Sequence, residues 1–270
     1  MPATGNRSPL RMKLGVLYFR TKRRAKWLLS RSARYARYRS AGRLPYQAAS
    51  HETILLRKLA NVDMWMQHNK VKNLALAAQR MDGLILKPGE TFSYWRTIGK
   101  PTRSKGYLDG MLLQSGQVRS GVGGGLCQLS NLIYWMTLHT PLTVTERHRH
   151  SYDVFPDSGR SQPFGSGATC YYNYIDLQIR NDTDAEYQLG VRLTDTHLTG
   201  EWRSASPPLY RYEIVEKNHR MAHEFGVGYV RSNEIWRRVQ NRSGDLLREE
   251  PVTSNRAIMM YDPSLPPAGE

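Results

Sequence analysis

Apolar positions recur at helical intervals early in the chain and alternate after residue 142. Within residues 52–83, Leu55, Leu59, Val62 and Trp65 follow one helical face; Leu74, Ala77, Ala78 and Met81 follow another. This predicts two helices with a break near His68–Asn69, the second closed by Gly83. Leu84–Leu86 reads as a short strand leading into a turn at Pro88–Gly89, and KGYLDG at 105–110 is turn-rich. The densest apolar run, Leu126 to His139, places Leu129, Ile133 and Met136 on one side. It predicts a buried helix stopped by Pro141. LTVTE, ATCYYNYIDLQI, EYQLGVRL, HLTGEW and LYRYEIVE then read as strands, and residues 225–261 as two hairpins, one turning at Ser243–Gly244. The expected fold class is α+β: N-terminal helices followed by a mainly antiparallel β-sheet, with a Gly-rich turn leading into a buried central helix.

Charge separates one end from the rest. Residues 1–50 hold 13 Lys and Arg and no acid; of 39 basic residues in all, 26 remain to face 23 acids over the other 220 positions. The basicity therefore belongs to an arm. Residues 20–40 read as a basic helix with Trp27, Leu28, Tyr35 and Tyr38 as its apolar stripe, suited to an anionic membrane surface. Nucleic acid is not an expected partner. The longest early apolar run, LGVLYF at 14–19, is too short for a membrane span or a signal-peptide core, so a cytoplasmic location at the inner membrane face is expected. The expected organisation is a basic arm over 1–45, one domain over 46–262 and a loose tail over 263–270. A hydrophobic content of 40%, with 6 Trp and 16 Tyr, indicates a folded core. Two cysteines exclude a disulfide framework and favour a reducing compartment.

The chemistry concentrates in GVGGGLCQLSNLIYW, residues 121–135. Glycines before a helix can bring backbone amides close to a ligand, and a cysteine there feels the positive end of the helix dipole, which favours thiolate over thiol. Cys127 is thus a candidate nucleophile. Gly124, Gly125, Gln128, Ser130 and Arg147 are candidates for binding substrate or an oxyanion. A small inert thiol packed beneath the helix is an equal reading of the local string. ERHRHSYDVFPD at 146–157 shifts the balance. His148 and His150 share a side if the segment is extended; one can accept the thiol proton and the other support it. His150 is the expected base, with Ser151 beside it, and Glu146 and Asp176 are candidate supporting acids. The same residues allow a zinc reading, with His148, His150 and Cys127 joined by His139 or an acid. No C-x-x-C or H-E-x-x-H accompanies them, and no metal or cofactor is expected. Phosphate-loop, G-x-S-x-G and dinucleotide-binding motifs are absent. Cys170 reads as a packing residue, and Glu90 as a turn or site residue.

Three strings carry a family resemblance: NLALAAQRMDGLILKPGETFSYW at 73–95, GGGLCQLSNLIYWMTLHTPLTVTERHRHS at 123–151 and YIDLQIRNDT at 174–183. They resemble the VanW family over roughly residues 50–260, and the single-domain members without a signal sequence above all. The resemblance implies a cell-wall or glycopeptide-resistance setting and, from some members, L,D-transpeptidation of peptidoglycan. There Cys127 would form the acyl-enzyme, with His148 and His150 as base and support. Many members carry an Asp before Ala–Thr where this chain has Gly167, so a different acid would have to orient the histidine. The expected substrate is a peptidoglycan precursor or related peptide, handled by a cysteine acyl transferase or amidohydrolase. The alternatives are a non-catalytic binding module for precursors or glycopeptides, and a zinc hydrolase.

Overall fold

The computed structural model describes residues 8–29, 34–57, 62–114, 116–155 and 162–263. The chain opens with α1 (Pro9–Leu29), β1 (Arg34–Tyr35), β2 (Tyr46–Ile54) and α2 (Met64–Met81). β3 (Leu84–Leu86), β4 (Glu90–Ser93), a short α3 (Tyr94–Ile98) and the hairpin β5 (Asp109–Gln114) and β6 (Gln117–Val122) follow. Then come α4 (Cys127–Leu138), β7 (Thr143–Glu146), β8 (Tyr152–Asp153) and β9 (Gln178–Arg180). β10 (Tyr187–Leu193), β11 (His197–Ser204), β12 (Arg211–Glu224), β13 (Gly228–Gln240) and β14 (Leu246–Met259) complete it. The strands form sheets in the orders β1-β4-β9-β7, β2-β11-β10-β3 and β12-β13-β14-β8, with β5-β6 as a separate pair. All pairings are antiparallel except β1 with β4 and β14 with β8. The architecture is the expected α+β.

α4 is the centre of the core. Leu129, Leu132 and Ile133 are completely buried, and the helix lies against β2 and β11. β11 alternates strictly between half-buried and buried positions, as a sheet with one face on the core must. Its Gly200 permits the close crossing, because a Cβ there would press on Met136 and Leu132. Trp202, fully buried, donates from Nε1 to Thr137 Oγ1 at 3.1 Å, so its one polar atom is satisfied inside the core.

Several expectations need correction. The first predicted helix is not a separate helix: residues 52–54 end β2 (46–54), Leu55 enters the core just after it, and Trp65 already belongs to α2. Leu59 lies outside the described residues. α2 runs unbroken through His68–Asn69. Its buried face carries Gln67, Lys70 and Asn73 as well as Leu74, Ala77 and Met81, so a hydrophobic pattern alone loses the first two turns. Lys70 Nζ donates to Gln67 Oε1, Asn73 Nδ2 to Leu108 O and to Gly124 O in the Gly turn, and Asn69 Nδ2 to Asp109 O. Gly83, with φ +78°, does end α2.

Two further corrections concern the arm and the tyrosine-rich segment. The basic helix starts earlier than expected and stops at Leu29; residues 30–33 lie outside the described set. Tyr35 is a buried strand residue, and Ala36 donates from its amide to Thr91 O. Residues 34–36, placed in the arm by the expected boundary at 45, thus pair with β4. ATCYYNYIDLQI is a strand only from Gln178 onward. Residues 168–177 instead form an irregular bridge, which is the feature that builds the site. Most of the tail, 264–270, lies outside the described residues.

Candidate functional site

The Gly-rich turn is shaped by contact with β5. Gly123 and Gly125 have φ of +78° and +86°, a region that L side chains rarely occupy. A Cβ on Gly124 would collide with the backbone of Gly110, and one on Gly125 with the Lys70 side chain. The turn's amides point inward. Gly123 donates to Leu108 O at 2.9 Å, Gly124 to Gly121 O at 3.0 Å and Gly125 to Met111 O at 2.8 Å. The oxyanion role expected of Gly124 and Gly125 is thereby corrected, since both N–H groups already serve the fold. Among the described residues, the amides at this corner that donate to no carbonyl are those of Leu126 and Cys127.

Cys127 is the first residue of α4 and is half-buried; Cys170 is buried, and both are free thiols. The Cys127 sulfur donates to Cys170 O at 3.8 Å. Burial pushes its pKa up, against the pull of neighbouring backbone hydrogen bonds. Here desolvation outweighs the helix N-terminus, so the resting group is a neutral thiol and not the expected thiolate. Beside it Tyr94, fully buried, donates to Leu126 O at 2.8 Å; burial and the two neighbouring thiols push its phenol well up.

The segment 165–170 runs between the start of α4 and the histidine strand and is stitched to both. On the α4 side, Ser130 Oγ donates to Ala168 O at 2.7 Å and Asn131 Oδ1 accepts from Ala168 N at 2.7 Å. On the other side, Thr169 N donates to His148 O at 2.9 Å. Arg147 donates to Gly167 O at 2.9 Å, to Gly165 O and to Thr253 Oγ1, with its guanidinium 5.0 Å from the Tyr134 ring centroid. Gln128 Nε2 donates to Thr53 Oγ1 and Ile54 O, both at 2.9 Å. Gln128, Ser130 and Arg147 were expected to hold substrate. The structure shows their donors bonded to main-chain carbonyls and, for Gln128 and Arg147, also to threonine hydroxyls.

The carboxylates divide sharply. Glu146 accepts from His148 Nε2 at 3.2 Å, from the Arg23 guanidinium at 2.5 and 2.6 Å and from Asp176 N at 3.2 Å. Burial alone would raise its pKa, but hydrogen bonds from His148 and Arg23 outweigh it and hold it at about 2. Asp176 is buried and accepts from Ser93 Oγ at 2.6 Å, Trp95 N at 3.0 Å and Gln178 Nε2 at 3.1 Å. Burial pushes it up to about 6. It touches no histidine, so of the two expected supporting acids only Glu146 reaches an imidazole. At Gly167 the Asn131 side chain occupies the space a Cβ would need.

The histidines are also corrected. β7 ends at Glu146, so residues 147–150 lie beyond the regular strand; His148 is exposed and His150 half-buried. The ring with a carboxylate partner is His148, and not the expected base His150, whose pKa burial lowers. No hydrogen bond joins the Cys127 sulfur to either ring. Glu90 is a turn residue: its carboxylate accepts from Lys87 N at 3.0 Å. Among the described residues no three His, Cys, Asp or Glu side chains converge as a metal site requires. His139 caps the far end of α4, some 18 Å from Cys127 at about 1.5 Å per residue, too far to share a metal ion with it. Arg23 escaped the sequence reading because it enters from the distant basic arm; its only signal was a cationic run with no local acid.

Opposed pKa shifts give opposed pH dependences. Glu146 falls from 4.5 to about 2 on folding, so its stabilisation of about 3 kcal/mol is complete above pH 4.5 and is lost as pH drops toward 2. Asp176 rises from 3.8 to about 6, so folding binds a proton between those values and stability falls as pH climbs through them. Denaturant midpoints measured against pH should therefore peak near pH 4 from this pair. Glu146→Gln should flatten the acid limb, and Asp176→Asn the limb between pH 4 and 6. Unchanged limbs in both variants would contradict the assignment.

Together these features define an α+β protein whose central helix opens on a cysteine bonded to the 165–170 segment, which on its other side pairs with His148. A family model described as VanW like protein matches residues 69–203. The chain is 35% identical over 218 residues to Vancomycin B-type resistance protein VanW of Enterococcus faecalis, covering 81% of this chain and 79% of that one. It is 31% identical over 112 residues to Uncharacterized protein YoaR of Bacillus subtilis, covering 40% of this chain and 34% of that one. The chain belongs to the VanW family. No solved structure matches it.

Proposed function

We propose that the protein is a cysteine-dependent acyl transferase acting on peptidoglycan-type peptides, with Cys127 as nucleophile and His148–Glu146 as the acid–base pair. The observation that carries this reading is position. Cys127 is the half-buried thiol at the foot of α4, beside the Leu126 and Cys127 amides that donate to no carbonyl. The VanW name of the enterococcal relative supports the cell-wall setting. In the reaction the thiol proton passes to His148 and the sulfur attacks an amide carbonyl carbon. The two amides receive the resulting oxyanion. The C–N bond then breaks, the amine leaves with the proton from the imidazolium, and a thioester remains for a second amine or water. His148 is tied through its carbonyl to Thr169, one residue before the carbonyl that accepts the thiol hydrogen bond.

A second reading has its own observation. A thiol with a raised pKa, hydrogen-bonded to a carbonyl, is also what a non-catalytic peptide-binding protein would hold. Iodoacetamide separates the two. The acyl-transfer reading expects Cys127 to be alkylated ahead of Cys170, with a rate that keeps rising above the ordinary thiol pKa. Equal labelling of the two cysteines, or none, favours the binding protein.

A further inference from the structure

α1 has two working faces. Its 21 residues include seven Lys and Arg and no acid. Val16, Arg20, Arg23 and Trp27 recur at helical spacing and turn toward the body. Arg20 Nε donates to Tyr172 O at 2.9 Å, Arg23 pairs with Glu146, and Trp27 packs against the core. This corrects the expected stripe, because Trp27 points inward and Tyr35 belongs to β1.

A different stripe faces solvent. Leu10, Leu14, Leu17 and Leu28 stand at i, i+4, i+7 and i+18, which is one line along a helix of 3.6 residues per turn. They are 67%, 57%, 61% and 82% exposed. On the same helical projection Lys13 and Arg24 fall along one side of this line and Arg11 and Lys22 along the other, all four exposed. Four leucines this exposed to water are an unfavourable surface unless something covers them.

We propose that α1 docks the protein on an anionic lipid bilayer, its leucine stripe seated among the acyl chains and the flanking cations on acidic headgroups. The charge decides the occupant. An apolar line between two rows of cations, without an acid anywhere on the helix, is complementary to an anionic interface. A second copy would bring two such cationic helices together and repel. Lying flat is the available mode, since no helix among the described residues is long and apolar enough to cross a membrane. Because the inner face of the same helix holds Glu146, docking sets the candidate site about one helix diameter, ~10 Å, from the lipid surface. The proposal does not depend on the acyl-transfer reading.

The full chain is tested by flotation with phosphatidylcholine vesicles, with and without about one third phosphatidylglycerol. Binding is expected to the anionic vesicles only, weakening as salt is raised. Leu14→Ser with Leu17→Ser should reduce it at least tenfold, at about 1.5–3 kcal/mol per buried leucine, with the melting temperature unchanged. No binding to the anionic vesicles, equal binding to neutral ones, or undiminished binding by the folded double variant would each overturn it. So would a dimer of the wild type that the double variant dissolves while vesicles go unbound.

Discussion

On the proposed acyl-transfer reading, Cys127→Ser is expected to lose the rate on a peptidoglycan stem peptide by about 10³-fold or more, while its melting temperature stays within a few degrees of wild type. The serine hydroxyl fits the space of the thiol and can donate to Cys170 O as the thiol does. What it cannot do at neutral pH is become a comparable nucleophile with only His148 to assist. Cys170→Ser is the control. It lies 43 residues on, buried, and its thiol is pushed well up by burial and by Cys127, so the acyl-transfer account gives it no chemical step. His148→Gln should reduce the rate less, by about 10²-fold, since general base assistance is a smaller contribution than the nucleophile itself. If Cys127→Ser retained the wild-type rate, the nucleophile would be elsewhere.

The largest effect on stability is expected at the other end of the molecule. Arg231 on β13 is 4% exposed and pairs with buried Asp153 of β8 at 3.4 Å. Its Nε donates to His219 at 2.9 Å and its guanidinium lies 4.6 Å from the Phe164 ring centroid. Asp153 also accepts from Tyr261 at 2.9 Å. β8 joins the three long strands only through a two-residue parallel pairing with β14, so this ion pair is a main tie between that sheet and the segment leaving the histidines. Arg231→Met removes this cation from beside a buried carboxylate and should cost about 3–5 kcal/mol in urea denaturation. Adding Asp153→Asn should restore part of that loss, because the uncompensated charge disappears. A loss under about 1 kcal/mol for Arg231→Met would show the pair to be water-screened.

The sequence was most legible where one periodicity held without interruption. α4, β10 and β11 fall within a residue or two of their predicted bounds, because apolar side chains alone define their buried faces. It was least legible where polar residues are buried. Gln67, Lys70 and Asn73 disguise the first half of α2, and the hydrogen-bonded bridge over 168–177 carries strand-like residues without strand pairing. The same cause limited the site. The cysteine and the E-x-H were visible as strings, but the partner of each polar atom depends on which distant carbonyl folds against it. Arg147 and Gln128 lost their expected roles in that way, and Arg23 gained one. Burial also reversed the sign expected for the thiol pKa, a quantity that residue spacing does not encode.

Intact mass measurement of the protein mixed with a peptidoglycan stem peptide tests the acyl-enzyme directly. The account predicts a mass increase equal to the acyl part of the peptide, located on Cys127 by fragmentation and absent from Cys127→Ala. Peptide that binds equally to wild type and Cys127→Ala and leaves no covalent mass on either would contradict it.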